Sequence, residues 1–167
     1  MTLSVSSWFR QMAKVGGVSA FLLMSASASH ADSGVFAGYA GTWSGNGTIS
    51  IADGGDERIR CRGTYTIAPD GNTLHQSLRC ASDSYRFDLV SEVRAQGTYI
   101  SGTWSETSRN VTGTLDGRIN NGNIEALVTT NAFAATLSMA ARGNRQSFSI
   151  SSKGELRGVT ITLARSN

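Results

Sequence analysis

From Arg58 to Ile67 the chain alternates with a period of two. Ile59, Cys61, Gly63, Tyr65 and Ile67 share one parity; Arg58, Arg60, Arg62, Thr64 and Thr66 share the other. This is the pattern of a β-strand with one apolar and one polar face. Pro69-Asp70-Gly71-Asn72 follows, a turn in which proline presets φ and glycine or asparagine accepts positive φ. The next alternation puts Leu74, Gln76, Leu78 and Cys80 on one parity. With Pro69 to Asn72 as the loop, Ile67 faces Leu74, Gly63 faces Leu78 and Cys61 faces Cys80. A slip of one residue would break the apolar match and the cysteine match together, which selects against a three-residue loop with a glycine bulge.

The period of two persists to the C-terminus. Successive inner faces carry Tyr85, Phe87, Leu89 and Val93; Ile100, Gly102 and Trp104; then Val111, Gly113, Leu115, Gly117 and Ile119. Ile124, Ala126 and Val128 follow, then Phe133, Ala135, Leu137 and Met139, then Phe148 and Ile150, and last Val159, Ile161 and Leu163. Turn residues separate them at Ser82-Asp83-Ser84, Asn120-Asn121-Gly122, Arg142-Gly143-Asn144 and Lys153-Gly154-Glu155. Ala132 to Ala141 also fits a helix, with Phe133, Leu137 and Ala141 at i, i+4 spacing, but strand is favoured. The pattern predicts an all-β chain, an antiparallel up-and-down meander of about eight to ten strands closing into a small barrel. A β-sandwich is the alternative.

The N-terminus reads differently. Arg10 and Lys14 precede an apolar or small-residue run from Val15 to Ala28, followed by the cleavage triplets Ala26-Ser27-Ala28 and Ser29-His30-Ala31. Residues 1–31 therefore read as a secretory signal peptide, cleaved after Ala31, and residues 32–167 as one barrel domain. The run is well short of the roughly 20 residues a membrane span needs. The expected location is periplasmic or secreted, with no membrane span in the mature chain.

Cleavage changes the charge argument. The whole chain has 15 basic and 12 acidic side chains; without Arg10 and Lys14 the balance is 13 to 12. A basic pI is thus weak support for nucleic-acid binding, and none is expected. Cys61 and Cys80 in an exported chain favour a disulfide, worth roughly 3 kcal/mol in the chain-entropy model. No zinc-ligand spacing is present, and the only histidine after the signal is His75. The glycine loop Asp53 to Glu57 lacks the spaced oxygen ligands of a calcium loop. No metal or other cofactor is expected.

Gly41-Thr42-Trp43-Ser44-Gly45-Asn46-Gly47 opens the first strand, and Gly102-Thr103-Trp104-Ser105-Glu106 repeats its core. Glycines beside an inward tryptophan leave room for a large ring, so packing is one reading and a ligand pocket the other. Gly41-x-Trp43 resembles the calycin signature of lipocalins and avidins, and Gly41-x-Trp43-x-Gly45-x-Gly47 is similar to nitrobindin-type haem barrels. The first resemblance implies a calycin-like barrel in which Trp43 packs at the closed end beneath an arginine from the last strand, a role open to Arg165. Haem binding does not carry over, because that family ligates iron through a late histidine and none follows His75. The stretches "AGYAGTWSGNGTIS", "ERIRCRGTY", "QSLRCASDSYRFDL" and "SGTWSETSRNVTGTL" resemble an uncharacterised family of small exported proteins from rhizobia and related alphaproteobacteria, which implies a location and no chemistry.

Three readings of function remain. The inner parity is rich in aromatics and nearly uncharged, so Trp43, Tyr65, Tyr85, Phe87, Trp104, Phe133, Met139 and Phe148 are candidates to line a pocket for a small apolar ligand. The absence of an inward carboxylate pair argues against acid–base catalysis and for a non-enzymatic protein. On the outer face, Arg58, Arg60 and Arg62 lie on one strand, with Arg79 opposite Arg62. A loop at Ala81 to Ser84 would put Arg86 opposite Arg79, with Asp88 nearby. This arginine row is a candidate site for an anionic envelope component: an acidic glycan, a lipid head group or a protein partner. A third reading is a small protease inhibitor acting through a mobile arm at Asp32 to Ala40. His75 reads as a surface histidine near Thr66.

Overall fold

The computed structural model of the protein describes residues 34–53 and 55–166, so the expected signal peptide lies outside the described residues. Ten strands follow a short 3-10 turn at Ala37–Tyr39. They are β1 (Gly41–Ile51), β2 (Asp56–Ile67), β3 (Thr73–Ala81), β4 (Arg86–Gln96), β5 (Tyr99–Glu106), β6 (Val111–Asn120), β7 (Asn123–Thr129), β8 (Ala134–Arg142), β9 (Arg145–Ser152) and β10 (Leu156–Arg165). Each strand pairs antiparallel with its sequence neighbours, and β10 returns to β1, so the sheet is a closed up-and-down barrel and not a sandwich. The ambiguous alanine-rich segment is the strand β8.

Local chemistry sets the register. In the β2–β3 hairpin Gly71 has φ 70°, and the Asp70 carboxylate accepts from the Asn72 backbone N–H at 3.0 Å. Ile67 faces Leu74 and Cys61 faces Cys80, and the two cysteines form a disulfide. Between β6 and β7, Asn121 and Gly122 both take positive φ, the demand of a two-residue hairpin turn. The β3–β4 hairpin differs from expectation. Its loop is Ser82 to Tyr85, closed by Ser82 N–H to the Tyr85 carbonyl at 2.8 Å and Tyr85 N–H to Ser82 Oγ at 2.9 Å. Arg86 therefore faces Ala81, and Arg79 faces Asp88. Sliding a four-residue loop by one position shifts the pairing by two and keeps every side chain on its face, so the hydrophobic pattern does not distinguish the frames.

Closure depends on β1. Its inward glycines Gly45 and Gly47 lie where β10 crowds in: a Cβ on Gly45 would overlap the Thr162 carbonyl and stand 2.9 Å from Leu163 Cα, and one on Gly47 would overlap the Thr160 carbonyl. Gly102 and Gly117 meet neighbouring backbone in the same way. Strands can bend this sharply only where the side chain is missing.

One end of the barrel is sealed. Phe36, Tyr39 and Trp43 are fully buried there. Trp43 Nε1 donates to the Tyr39 carbonyl at 2.8 Å, and Tyr39 Oη lies 2.9 Å from Gly122 O and 3.1 Å from Met139 O. The Arg165 guanidinium stacks over the Trp43 ring at 4.3 Å and donates to the Ala40 and Gly38 carbonyls. Of the expected arm at Asp32 to Ala40, Phe36 and Tyr39 are packed into this plug, while Gly34, Val35 and Gly38 are exposed. Val substitution at Gly45 or Gly47 is expected to cost about 3 kcal/mol in urea denaturation. Gly55→Ala, with nothing within 4 Å of its added Cβ, should stay within about 0.5 kcal/mol of wild type. Equal midpoints for the two kinds of variant would contradict this account of closure.

Candidate functional site

The end opposite the plug is built from the turns after β1, β3, β5, β7 and β9. Its inward side chains are apolar but only partly covered: Ile51, Tyr85, Phe87, Leu89, Trp104, Ile150 and Leu156 all pack against the buried core from this side. Phe133, in the β7–β8 turn, is 43% exposed on the rim, with its ring 6.2 Å from that of Trp104. Register explains this pairing. Trp104 faces Gly113 on β6, and the indole lies over that glycine, where a Cβ would stand 2.7 Å from Trp104 Nε1. The missing side chain lets the ring reach across β6 toward the β7–β8 turn. Trp104 Nε1 donates to the Thr114 carbonyl at 3.2 Å.

The eight expected pocket residues therefore divide. Tyr85, Phe87, Trp104 and Phe133 gather at the open end. Trp43 and Tyr65 are buried in the sealed half, and Met139 and Phe148 belong to the packed wall. Ile51, Leu89, Ile150 and Leu156 join the open ring. Parity alone marked them as inward without saying which end they occupy.

Polar groups also face inward. On one wall Gln76 donates to Tyr65 Oη at 3.2 Å and accepts from Ser91 Oγ at 3.0 Å, and burial raises the Tyr65 phenol well above its ordinary value. On another, Gln146 is 1% exposed, and neither its Nε2 nor its Oε1 has a hydrogen-bond partner among the described residues. Its register neighbours are Leu163 and Ala141, close to the plug. A buried amide left unpaired is costly, and it gives the interior a polar group with unused capacity.

Glu106 corrects the expectation of a nearly uncharged inner face. It lies two residues past Trp104 with the same parity and is 7% exposed. Its carboxylate accepts from the backbone N–H groups of Asp88 (2.9 Å), Ser108 (3.2 Å) and Arg109 (2.8 Å), and from Ser108 Oγ at 2.6 Å. Burial alone would raise its pKa; these hydrogen bonds outweigh burial and hold it below the usual carboxylate value. The group organises the β5–β6 turn, which in turn places the Arg109 guanidinium 4.8 Å above the Phe87 ring at the open end.

The five candidate anion-site arginines, Arg58, Arg60, Arg62, Arg79 and Arg86, are all exposed on the outer face. Arg62 faces Arg79 directly. Asp88 compensates two of the others, 3.1 Å from Arg79 and 2.9 Å from Arg86. Arg58 and Arg60 border an outer groove of about 890 Å³ running over β10, β1, β2 and β3. A second groove, about 920 Å³, crosses β2 to β7; threonine and serine residues line it together with His75, Gln76 and Trp104. His75 faces Thr66 and stands 3.6 Å from Glu92, a surface pair. Among the described residues no cluster of metal-ligating side chains is present, and no helix is long and apolar enough to cross a membrane.

No family model matches the chain, and no curated protein matches it. Solved structures do. The chain is similar to Rv2717c from M. tuberculosis, with TM-score 0.63 and 12% identity over 78% of this chain and 94% of that one. It is also similar to the S-type phycobiliprotein lyase CPES from Guillardia theta, with TM-score 0.53 and 10% identity over 79% of this chain and 90% of that one. At these identities the likeness establishes a shared lipocalin-like barrel fold and nothing about chemistry.

The Glu106 interactions carry a pH signature. Glu106→Gln is expected to lose about 2 kcal/mol of stability near pH 7. Because the folded pKa is depressed, the carboxylate's contribution is complete above about 4.3, the unfolded value, and fades as pH falls through the folded one. The gap between wild type and variant in denaturation midpoints should therefore close in acid; a gap independent of pH would contradict the assignment.

Proposed function

We propose that the protein is an exported binding protein that takes a small, mainly apolar ligand through the open end of its barrel and carries out no chemistry on it. The observation that carries this reading is the asymmetry of burial: all the half-covered aromatic side chains lie at the open end, and of the half-covered apolar residues packed on the core only Ile67 and Ala95 lie on the side of the Trp43 plug. An apolar concavity with a few polar groups is the common form of a small-molecule site.

Absence of catalysis is supported by the state of Glu106. Its carboxylate accepts from four donors, three of them on Oε1, and its pKa is lowered, which leaves it poorly suited as a general acid or base. The lyase activity in the second neighbour's name concerns that protein. Export to the periplasm or beyond is supported by the apolar N-terminal run and by the Cys61–Cys80 disulfide, which suits an oxidising compartment. Membership of the rhizobial exported family remains part of this proposal, on the quoted sequence stretches.

The test is a fluorescence titration with N-phenylnaphthylamine, a neutral apolar probe. Wild type should bind it with a change in tryptophan emission. Trp104→Phe should remove most of that change, and Phe133→Ser should weaken binding about tenfold. Probe binding that is absent, or a response unaltered by Trp104→Phe, would refute this reading.

A further inference from the structure

Arg58, Arg60 and Arg62 occupy alternate positions of β2 and all point outward, so their Cα atoms step along one line at about 7 Å. Among the described residues none of the three has a carboxylate within 4.0 Å; the ion pairs formed by arginine involve Arg79, Arg86, Arg94 and Arg109. Cross-strand neighbours supply no compensation. On β1 they are Ser44, Asn46 and Thr48, all uncharged, and on β3 they are Ala81 and Arg79. The Arg62–Arg79 juxtaposition is itself unfavourable. A stripe of uncompensated guanidinium groups costs stability in the free protein and becomes an asset when an anion lies along it.

We infer that this face binds a linear acidic polysaccharide, one bearing carboxylate or sulfate groups at repeating intervals. Guanidinium pairs bidentately with such groups, and a strand offers them in a row. Beside the stripe, the walls of the 890 Å³ groove are amide and hydroxyl: Asn46, Thr48, Thr160 and Thr162. These match the donors and acceptors of sugar hydroxyls. The alternatives lack their own chemistry here. Among the described residues the large exposed apolar side chains are Val35, Val90, Tyr99, Leu127 and Phe133, none on β1, β2 or β3, so this face offers no apolar group to a bilayer. No aromatic side chain lines the groove to stack with the bases of a single-stranded nucleic acid. Arg58 and Arg60 line the groove together with the carboxylates Glu57 and Asp83, and Arg62 continues the stripe beyond it on the same strand.

The experiment is isothermal titration of the protein with polygalacturonate oligosaccharides. Neutral dextran, phosphatidylglycerol vesicles and poly(dT) serve as comparison ligands. Polygalacturonate should bind and dextran should not, and raising salt from about 50 to about 200 mM should weaken binding about tenfold through counterion release. The combined Arg58→Gln, Arg60→Gln and Arg62→Gln variant should lose at least about tenfold in affinity. Its thermal midpoint should not fall, and should rise slightly as the like-charge repulsion is relieved; with N-phenylnaphthylamine binding kept, this shows an intact barrel and separates this site from the interior one. Arg118→Gln, on β6, should bind as wild type does. Unchanged binding by the triple variant, tighter binding to vesicles or poly(dT), or no binding to polygalacturonate would overturn the inference.

Discussion

The seam between β1 and β10 is the contact on which the barrel depends. A meander of ten strands has two edges, and unpaired edges invite association with other chains. Closing them requires the first strand to bend against the last so closely that a methyl group at Gly45 or Gly47 has no room. The same short stretch places Trp43, two residues earlier, under the Arg165 guanidinium of β10. Seven residues thus close the sheet and seal one end of it. The Cys61–Cys80 bond, level with Gly45 in the register, clasps β2 to β3 beside this seam.

Sealing one end makes the other end informative. The two copies of Gly-Thr-Trp-Ser sit on β1 and β5 with their tryptophans facing inward, yet they have opposite fates. Trp43 begins its strand and lies in the plug, with its N–H satisfied and its ring covered. Trp104 is near the end of its strand, so the same motif arrives at the open end, spread over Gly113 and facing Phe133. The register also tilts across the barrel: the inward row that starts at Trp43 passes through Gly63, Leu78 and Leu89 to Glu106 and Val111. Residues of one row therefore run from the plug to the opening. The outer face follows a separate logic, in which Arg58, Arg60 and Arg62 carry charge that the fold itself does not use.

Much of this was legible because independent constraints coincided. The β2–β3 register followed from parity and the cysteines together, and the all-β class from a period of two sustained through every segment. The stacking of Arg165 on Trp43 was foreseeable only through the calycin resemblance. Where one constraint acted alone, the reading was incomplete. The β3–β4 loop has two frames with the same facing, and the Ser82 hydroxyl on the Tyr85 N–H decides between them. Inward parity could not show which aromatics meet at an opening, because that depends on where the tilted rows end. Glu106 has the inward parity of Trp104, but a carboxylate there makes sense only once the Asp88 N–H of β4 and two N–H groups of the β5–β6 turn are seen to converge on it.

A barrel with one sealed and one receptive end should respond to an apolar ligand at one end alone. Backbone amide NMR during titration with a neutral apolar molecule such as N-phenylnaphthylamine distinguishes the ends. Chemical-shift changes are expected to concentrate at Ile51, Tyr85 to Leu89, Trp104, Thr130 to Phe133 and Ile150, with the amides of Tyr39 and Trp43 unmoved. Changes centred on the Trp43 end, or none at either end, would contradict this division of the barrel.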